Sequence, residues 1–562
     1  MPAIRRTFDY RVPDGLADGV DIGTIVRIDL HGRRVRGWVV DRGGDAPEGV
    51  ALKLIAKVTG VGPPAELVDL ARWAAWRWAG HPSALLAAAS PRTVVRRRPR
   101  PVVGSVSTSQ GALEGERAVI QLPPAADPSS HLATAAERGP ALVVCPSVET
   151  ARWAAGVIRR SGATVALHPD DWALASAGAT VVGARAAAWA PLRRPETVVV
   201  LDEHDEVHQE ERTPAWNARD VAIERAARAG VPCVLLSPCP SLEARAWGPV
   251  VRVSTAEERA GWPVLDVIDR RRDDIGRSGL YSERLVARLR ERGRGRAVCV
   301  LNRKGRSRLL ACVTCGELAR CDRCGAAVVL PEPGRLVCPR CGQERPQVCL
   351  GCGAAAMKNL RVGVSRAREE LEALLGEPVA EVTGTASRAA PTGELPRVVV
   401  GTEAVLHQVR GPVGVVAFLD LDQELLAPRY RAAEQAMALL VRAARLLGGR
   451  ANGGRLVVQT RMPGHAVVQA VLHADPDRLA DDERVRRQAL RYPPFSAMAS
   501  VSGPVADAFI ANLGRPLGIE VLGPADGRWL LRAADHVTLC DALAATSRPP
   551  GRVRVEVDPL RV

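Results

Sequence analysis

Lysine is what this sequence most conspicuously lacks. Four of its 77 basic residues are lysine (Lys53, Lys57, Lys304 and Lys358), and none lies between Lys57 and Lys304. A phosphate-cradling P-loop needs a glycine-rich turn followed by a lysine whose ammonium reaches the β- and γ-phosphates. That long lysine-free stretch excludes a standard one. Apolar runs are short as well, and no window approaches the ~20 residues of a membrane helix. The start, Met1-Pro2-Ala3-Ile4-Arg5-Arg6, leads into no apolar core of the secretory kind. The expectation is a cytoplasmic protein with no membrane contact.

Positive charge is in excess. The net charge is +15 and the pI about 9.7, which points to an anionic partner, nucleic acid first. A chain of 562 residues predicts about four domains, and an apolar fraction of 47% is ordinary for folded ones.

Eight of the 13 cysteines fall in one short segment as four knuckles: Cys312-x-x-Cys315, Cys321-x-x-Cys324, Cys338-x-x-Cys341 and Cys349-x-x-Cys352. Two thiolates two residues apart can wrap the same tetrahedral ion, so each knuckle supplies half of a four-sulfur zinc site. Glycine follows the second cysteine of every knuckle and suits its tight turn. Disulfides would need an oxidising compartment, and iron–sulfur ligation usually follows other spacings. Two closed, structural Zn2+ sites are expected. The knuckles can be joined sequentially, nested or interleaved. The stretch from Cys324 to Cys341 resembles a zinc ribbon, which favours Cys321/Cys324/Cys338/Cys341 on one ion and Cys312/Cys315/Cys349/Cys352 on the other. Cys145, Cys233, Cys239, Cys299 and Cys540 are scattered and read as buried free thiols.

Taken in order, the chain begins with a small β domain. The alternating runs 23–28 and 34–40 flank Gly32 as a hairpin, and residues 65–79 follow as an amphipathic helix. The basic, proline-rich run Arg96-Arg97-Arg98-Pro99-Arg100-Pro101 reads as a linker. Apolar strand candidates at 141–144, 164–167, 180–182, 198–201 and 233–236 alternate with helical stretches. This argues for a parallel α/β unit. A second unit runs through 298–301, 397–400, 415–419 and 455–458, interrupted by the cysteine segment. The last piece, from about 496, looks α+β and ends in a strand at 553–557.

Asp202-Glu203-His204 follows directly on the strand candidate 198–201. Two carboxylates at the carboxyl end of a parallel strand could hold magnesium and orient a water, although a polar strand end is the plainer reading. Around it stand, in one order, Val182-Gly183-Ala184-Arg185, Ala190-Pro191, Ala218-Arg219-Asp220-Val221-Ala222, Ser237-Pro238-Cys239-Pro240-Ser241-Leu242-Glu243, Leu301-Asn302-Arg303-Lys304-Gly305, the eight cysteines, Gly401-Thr402-Glu403, Leu419-Asp420-Leu421-Asp422 and Tyr492-Pro493-Pro494-Phe495. This series, from residue 8 to Val557-Asp558-Pro559, resembles the PriA replication restart family of bacterial DNA helicases.

The resemblance implies an N-terminal 3′-end DNA-binding domain with linker over 1–100 and a first RecA-like domain over 101–290. It implies a second over 291–455, carrying the zinc insertion 312–352, and a C-terminal domain over 456–562. In the family an aromatic-acid-aromatic element and a downstream lysine hold a 3′-terminal nucleotide. Phe8, Asp9, Tyr10 and Lys53 match, with Gly32 placed less securely. Composition alone would make Phe8 and Tyr10 plain core residues. The motor departs from the family. Where its P-loop would lie stands Leu122-Pro123-Pro124-Ala125-Ala126-Asp127-Pro128-Ser129-Ser130, three prolines and no glycine. The arginines of the helix 440–450 are off the family's spacing, so Asp202 and Glu203 read as vestigial. The expectation is a restart protein that recognises stalled forks and recruits restart factors without unwinding DNA. Its partners would be forked and single-stranded DNA, other primosome proteins and single-stranded DNA-binding protein, in the nucleoid. The rivals are an ATP-dependent 3′-to-5′ helicase with a non-standard nucleotide site, and a zinc-ribbon interaction protein with no DNA role.

Overall fold

The computed structural model describes residues 7–43, 51–97, 99–101, 117–271, 273, 279–291, 293, 295–301, 309–360, 364–383 and 395–561. Arg98 of the basic run and Asn302-Arg303-Lys304-Gly305 of the motif series lie outside them.

The N-terminal sheet has three antiparallel strands, with Ile25–Leu30 between Arg33–Trp38 and Lys57–Gly60. His31 and Gly32 form a two-residue turn in which both φ angles are positive, 51° and 75°. That handedness matches the twist of the flanking strands, which is why a glycine stands there. The expected helix is Ala65–Arg77, and a second, Pro82–Ala89, follows it across Gly80 with proline at its first position. Leu67, Leu70, Trp78 and Leu85 from this pair bury against Leu142, Val144, Val198 and Val200 of the next unit and against Phe509, Leu531 and Val555 near the C-terminus. The helices thus weld three parts of the chain into one core.

The first α/β unit is a seven-stranded, all-parallel sheet. Its strands lie in the order Val250–Arg252, Arg117–Gln121, Cys233–Ser237, Thr197–Leu201, Ala141–Val144, Thr180–Gly183, Val165–His168. Helices cover both faces, so the central strands are apolar without alternation. The second unit is a six-stranded parallel sheet in the order Val264–Asp269, Arg455–Thr460, Val413–Phe418, Arg296–Val300, Val398–Gly401, Val379–Val382. Two neighbouring strands at one edge of this sheet bear on where the units divide. Val264–Asp269 precedes residue 290 yet pairs with Arg455–Thr460, which itself runs across the expected boundary at 455. A strand's register with its neighbour, invisible in local sequence, decides its unit.

The cysteine segment sits on two small antiparallel sheets, Leu309–Cys312 with Met357–Leu360 and Val329–Glu332 with Arg335–Val337 and Glu344–Pro346. The C-terminal part is a four-stranded antiparallel sheet, ordered Ile519–Ala525, Arg528–Ala533, Ala497–Ser502, Arg554–Val557, with helices Ala506–Leu513 and His536–Ala545. No helix among the described residues is long and apolar enough to cross a membrane.

Candidate functional site

Three places carry chemistry. At the N-terminus, Arg11 bridges to Leu54 in parallel fashion: its N–H donates to the Lys53 carbonyl at 2.9 Å and its carbonyl accepts from Ile55 N–H at 3.0 Å. This pairing sets the segment that ends in Tyr10 and Arg11 against Lys53 and Leu54. Phe8 is 43% exposed, so it is no core residue. Asp9 is exposed too, and Tyr10 is half-buried. Asp29, which the sequence did not single out, ties the rest together. Its carbonyl accepts from the Tyr10 hydroxyl at 2.7 Å, and its carboxylate accepts from Gly32 N–H at 3.2 Å and pairs with Lys53 Nζ at 3.5 Å. The one hint was an acid opening the Asp29-Leu30-His31-Gly32 turn. Tyr10, Gly32 and Lys53 thus converge on Asp29, and Phe8 and Asp9 stand exposed just before Tyr10 in the chain.

The eight thiols form two clusters, Cys312/Cys315/Cys349/Cys352 and Cys321/Cys324/Cys338/Cys341, each with all sulfurs within 4.8 Å. The joining is the nested one. Sulfur pairs across the clusters lie 3.5–3.6 Å apart. A tetrahedral ion with ~2.3 Å bonds to sulfur would set them at roughly 3.8 Å. All four knuckles repeat one geometry. Gly316, Gly325, Gly342 and Gly353 have φ of 77°, 72°, 74° and 77°, and each donates its N–H to the carbonyl of its knuckle's first cysteine at 2.9–3.0 Å. Only glycine takes that conformation without strain. The inner cluster is packed among Leu310, Ala326, Val328 and Leu336, whereas Cys315 and Cys352 of the outer one are exposed.

The third place is the strand end at Asp202-Glu203. Neither carboxylate is available. Arg445 grips Asp202 with both nitrogens at 2.5 and 2.6 Å. Burial alone would raise the Asp202 carboxyl, but the Arg445 guanidinium outweighs it and holds the group below its ordinary value. Asp202 also sits at φ 51°, a left-handed conformation costly for a residue with a Cβ. Glu203 accepts from Ser241 N–H and Ser241 hydroxyl at 2.8 Å each and pairs with Arg219 at 3.2 Å. The loop after strand Arg117–Gln121 turns its amides inward. Ala125 N–H donates to Gly261 carbonyl at 3.2 Å and Ala126 N–H to Pro123 carbonyl at 2.9 Å. At the N-terminus of helix Ser129–Glu137, where a phosphate would sit, the Asp127 carboxylate accepts from Ser129 N–H at 3.0 Å. Those hydrogen bonds hold its carboxyl below the ordinary range.

The same arginines clamp the two α/β units together. Along helix Ala432–Leu447, Arg445 holds Asp202, Arg442 holds Asp205 at 2.6 Å, and Gln435 bonds Glu206. Just before it, Arg431 holds Glu243 at 2.5 Å. Arg487, fully buried, binds Glu434 at 2.5 Å and Glu243 at 3.4 Å. The cavity of ≈ 590 Å³ that remains between the units is lined by ten carboxylates and six arginines.

The 3′DNA-binding domain (3′BD) family model matches residues 1–91. A replication restart protein PriA of Treponema pallidum is 30% identical over 61% of this chain and 57% of its own length. For that of Bacillus subtilis the figures are 30%, 57% and 43%, so the chain spans about half the length of these two relatives. A probable replication restart protein PriA of Mycobacterium tuberculosis is 30% identical over 94% of this chain and 90% of its own. A DEAD box protein of Methanococcus jannaschii aligns with 67% of the chain and 87% of its own at 10% identity and a TM-score of 0.30, too slight a likeness to place any residue. With the same sequence relationship holding across nearly the full length, the two α/β units and the nested thiol clusters included, the chain belongs to the replication restart protein PriA family.

Proposed function

We propose that this protein binds branched DNA at a free 3′ end and recruits restart factors there, with two structural Zn2+ ions and without ATP-driven unwinding. The reading rests above all on the state of the motor cleft. Phosphoryl transfer works by positioning and charge neutralisation around the γ-phosphate. Here a carboxylate takes the phosphate's place at the helix N-terminus, the loop amides are spent internally, and both strand-end carboxylates are paired within the chain. An excess of carboxylates in the cavity also opposes passage of a nucleic acid backbone.

At the N-terminal edge, Phe8 stacks on the terminal base, Asp9 accepts the 3′-hydroxyl proton and Lys53 meets a phosphate. Tyr10 and Gly32, both tied to Asp29, shape the edge. The test pairs two assays on the pure protein. DNA-stimulated ATP hydrolysis should not rise above background, and Glu203→Gln should leave fork binding unchanged. Asp9→Ala should erase discrimination between 3′-hydroxyl and 3′-phosphate forks while retaining binding to both. Robust hydrolysis that disappears in Glu203→Gln would restore a helicase, and equal loss of all binding in Asp9→Ala would remove the pocket.

A further inference from the structure

Helix Val148–Arg160 packs on one face of the seven-stranded sheet through Ala151, Ala154, Ala155 and Ile158. The N-terminal helices cover the opposite face, with Leu142, Val144, Val198 and Val200. Its outer stripe therefore lies on the side of the sheet away from the N-terminal helices, and its first turn reaches the second unit, where Glu149 pairs with Arg410.

Glu149, Arg152, Trp153, Gly156 and Arg160 recur at three- and four-residue spacing and so share that stripe. Trp153 is 41% exposed, the one exposed tryptophan of eleven. Gly156 stands mid-helix, where glycine is unfavourable relative to alanine. No packing requires it: a Cβ there would meet only the Arg160 guanidinium, at an ordinary 3.7 Å. The residue leaves an open floor with an indole one turn before it and a guanidinium one turn after. Neither Arg152 nor Arg160 has a carboxylate in ion-pair reach among the described residues, and Glu149 is held aside by Arg410 at 3.0 Å.

We propose that this stripe is a second contact for single-stranded nucleic acid, with the Trp153 indole stacking one base over the floor at Gly156 and Arg152 and Arg160 meeting the adjacent phosphates. An aromatic face flanked by cations is sequence-tolerant, because every base presents a π-face and every linkage a phosphate. The inference goes beyond the 3′-end reading and does not depend on it.

The probe is a circular single-stranded oligonucleotide, which has no 3′ end for the N-terminal edge to hold. Trp153→Ala should weaken binding to it about tenfold, within the range that loss of one stacked base produces. Trp153→Phe should restore most of that binding. Gly156→Leu improves helix propensity while filling the floor, so it should fold at least as well and bind as poorly as Trp153→Ala. Arg160→Ala should lower the logarithmic salt slope by about 0.7, the single-strand value per phosphate. All should keep the wild-type preference between 3′-hydroxyl and 3′-phosphate forks, which reads the other site separately. Unchanged binding of the circle by Trp153→Ala and Gly156→Leu would overturn the proposal. So would loss of binding to an acidic peptide with the circle still bound, which would make the stripe a protein contact.

Discussion

Glu258 lies buried on helix Thr255–Ala260, with one oxygen accepting from the Trp262 indole N–H at 2.9 Å. Burial pushes its carboxyl up to about 7. In the unfolded chain a glutamate titrates near ~4.3, so the folded form holds the proton more tightly. The contribution is full below that value and is lost as pH rises through about 7. Glu258→Gln keeps the acceptor for Trp262 and cannot ionise. Melts at pH 4 and pH 8 should show the variant near wild type at the lower pH and more stable by on the order of 3 kcal/mol at the higher. An equal difference at both pH values would remove Glu258 as the titrating group. Single residues also mark where sequence reading stops. Asp127 falls in a proline-rich loop and Asp29 in a turn, both ordinary places for an aspartate. What each does depends on a partner, Ser129 N–H in one case and Lys53 in the other, that only the folded backbone supplies.

Among the elements, helix Ala432–Leu447 carries most of the consequence. Its arginines look like a displaced catalytic set in the sequence, because their partners lie 237 and 243 residues away. Arg445→Ala leaves the buried Asp202 without its counter-charge, and because the Arg445 side chain is itself 42% exposed, solvent screens the pair and the cost is about 1–2 kcal/mol. Adding Asp202→Asn should recover much of that loss, and denaturant titrations of both singles and the double should give a coupling above ~1 kcal/mol. Additive effects would mean the pair does not hold the units together. In the cysteine segment the two clusters differ in cover, the outer one having two exposed thiols. A chelator monitored by a colorimetric zinc indicator should therefore release metal in two phases of about one ion each, with Cys315→Ser abolishing the faster. The knuckles were legible because glycine and cysteine spacings are local, whereas the nested pairing, favoured but left open by the sequence, joins cysteines as far apart as Cys312 and Cys352 and is fixed by the fold. Central strands such as Ala141–Val144 and Val398–Gly401 were legible as bare apolar runs. Arg117–Gln121 and Val379–Val382 escaped notice because charged or small residues interrupt them, and tertiary pairing decides their state.

On the scale of the whole molecule, the N-terminal helices, the first sheet and the C-terminal sheet share one core, a contact between distant parts of the chain that no local pattern in the sequence announces. The net charge of +15, the acidic cavity included, favours an anionic partner such as DNA. Fork binding should weaken steeply with salt, each neutralised duplex phosphate adding about 0.9 to the logarithmic slope. A flat slope between low and physiological salt would point to a partner other than DNA. The clamp has one more consequence. A motor moves by letting its two lobes part and close, whereas here Arg431, Arg442, Arg445 and Arg487 bolt them shut. Several ion pairs at once would have to break before Asp202, Asp205 and Glu243 of one unit could part from these arginines of the other, so the two units behave as a single welded frame and not as a hinge.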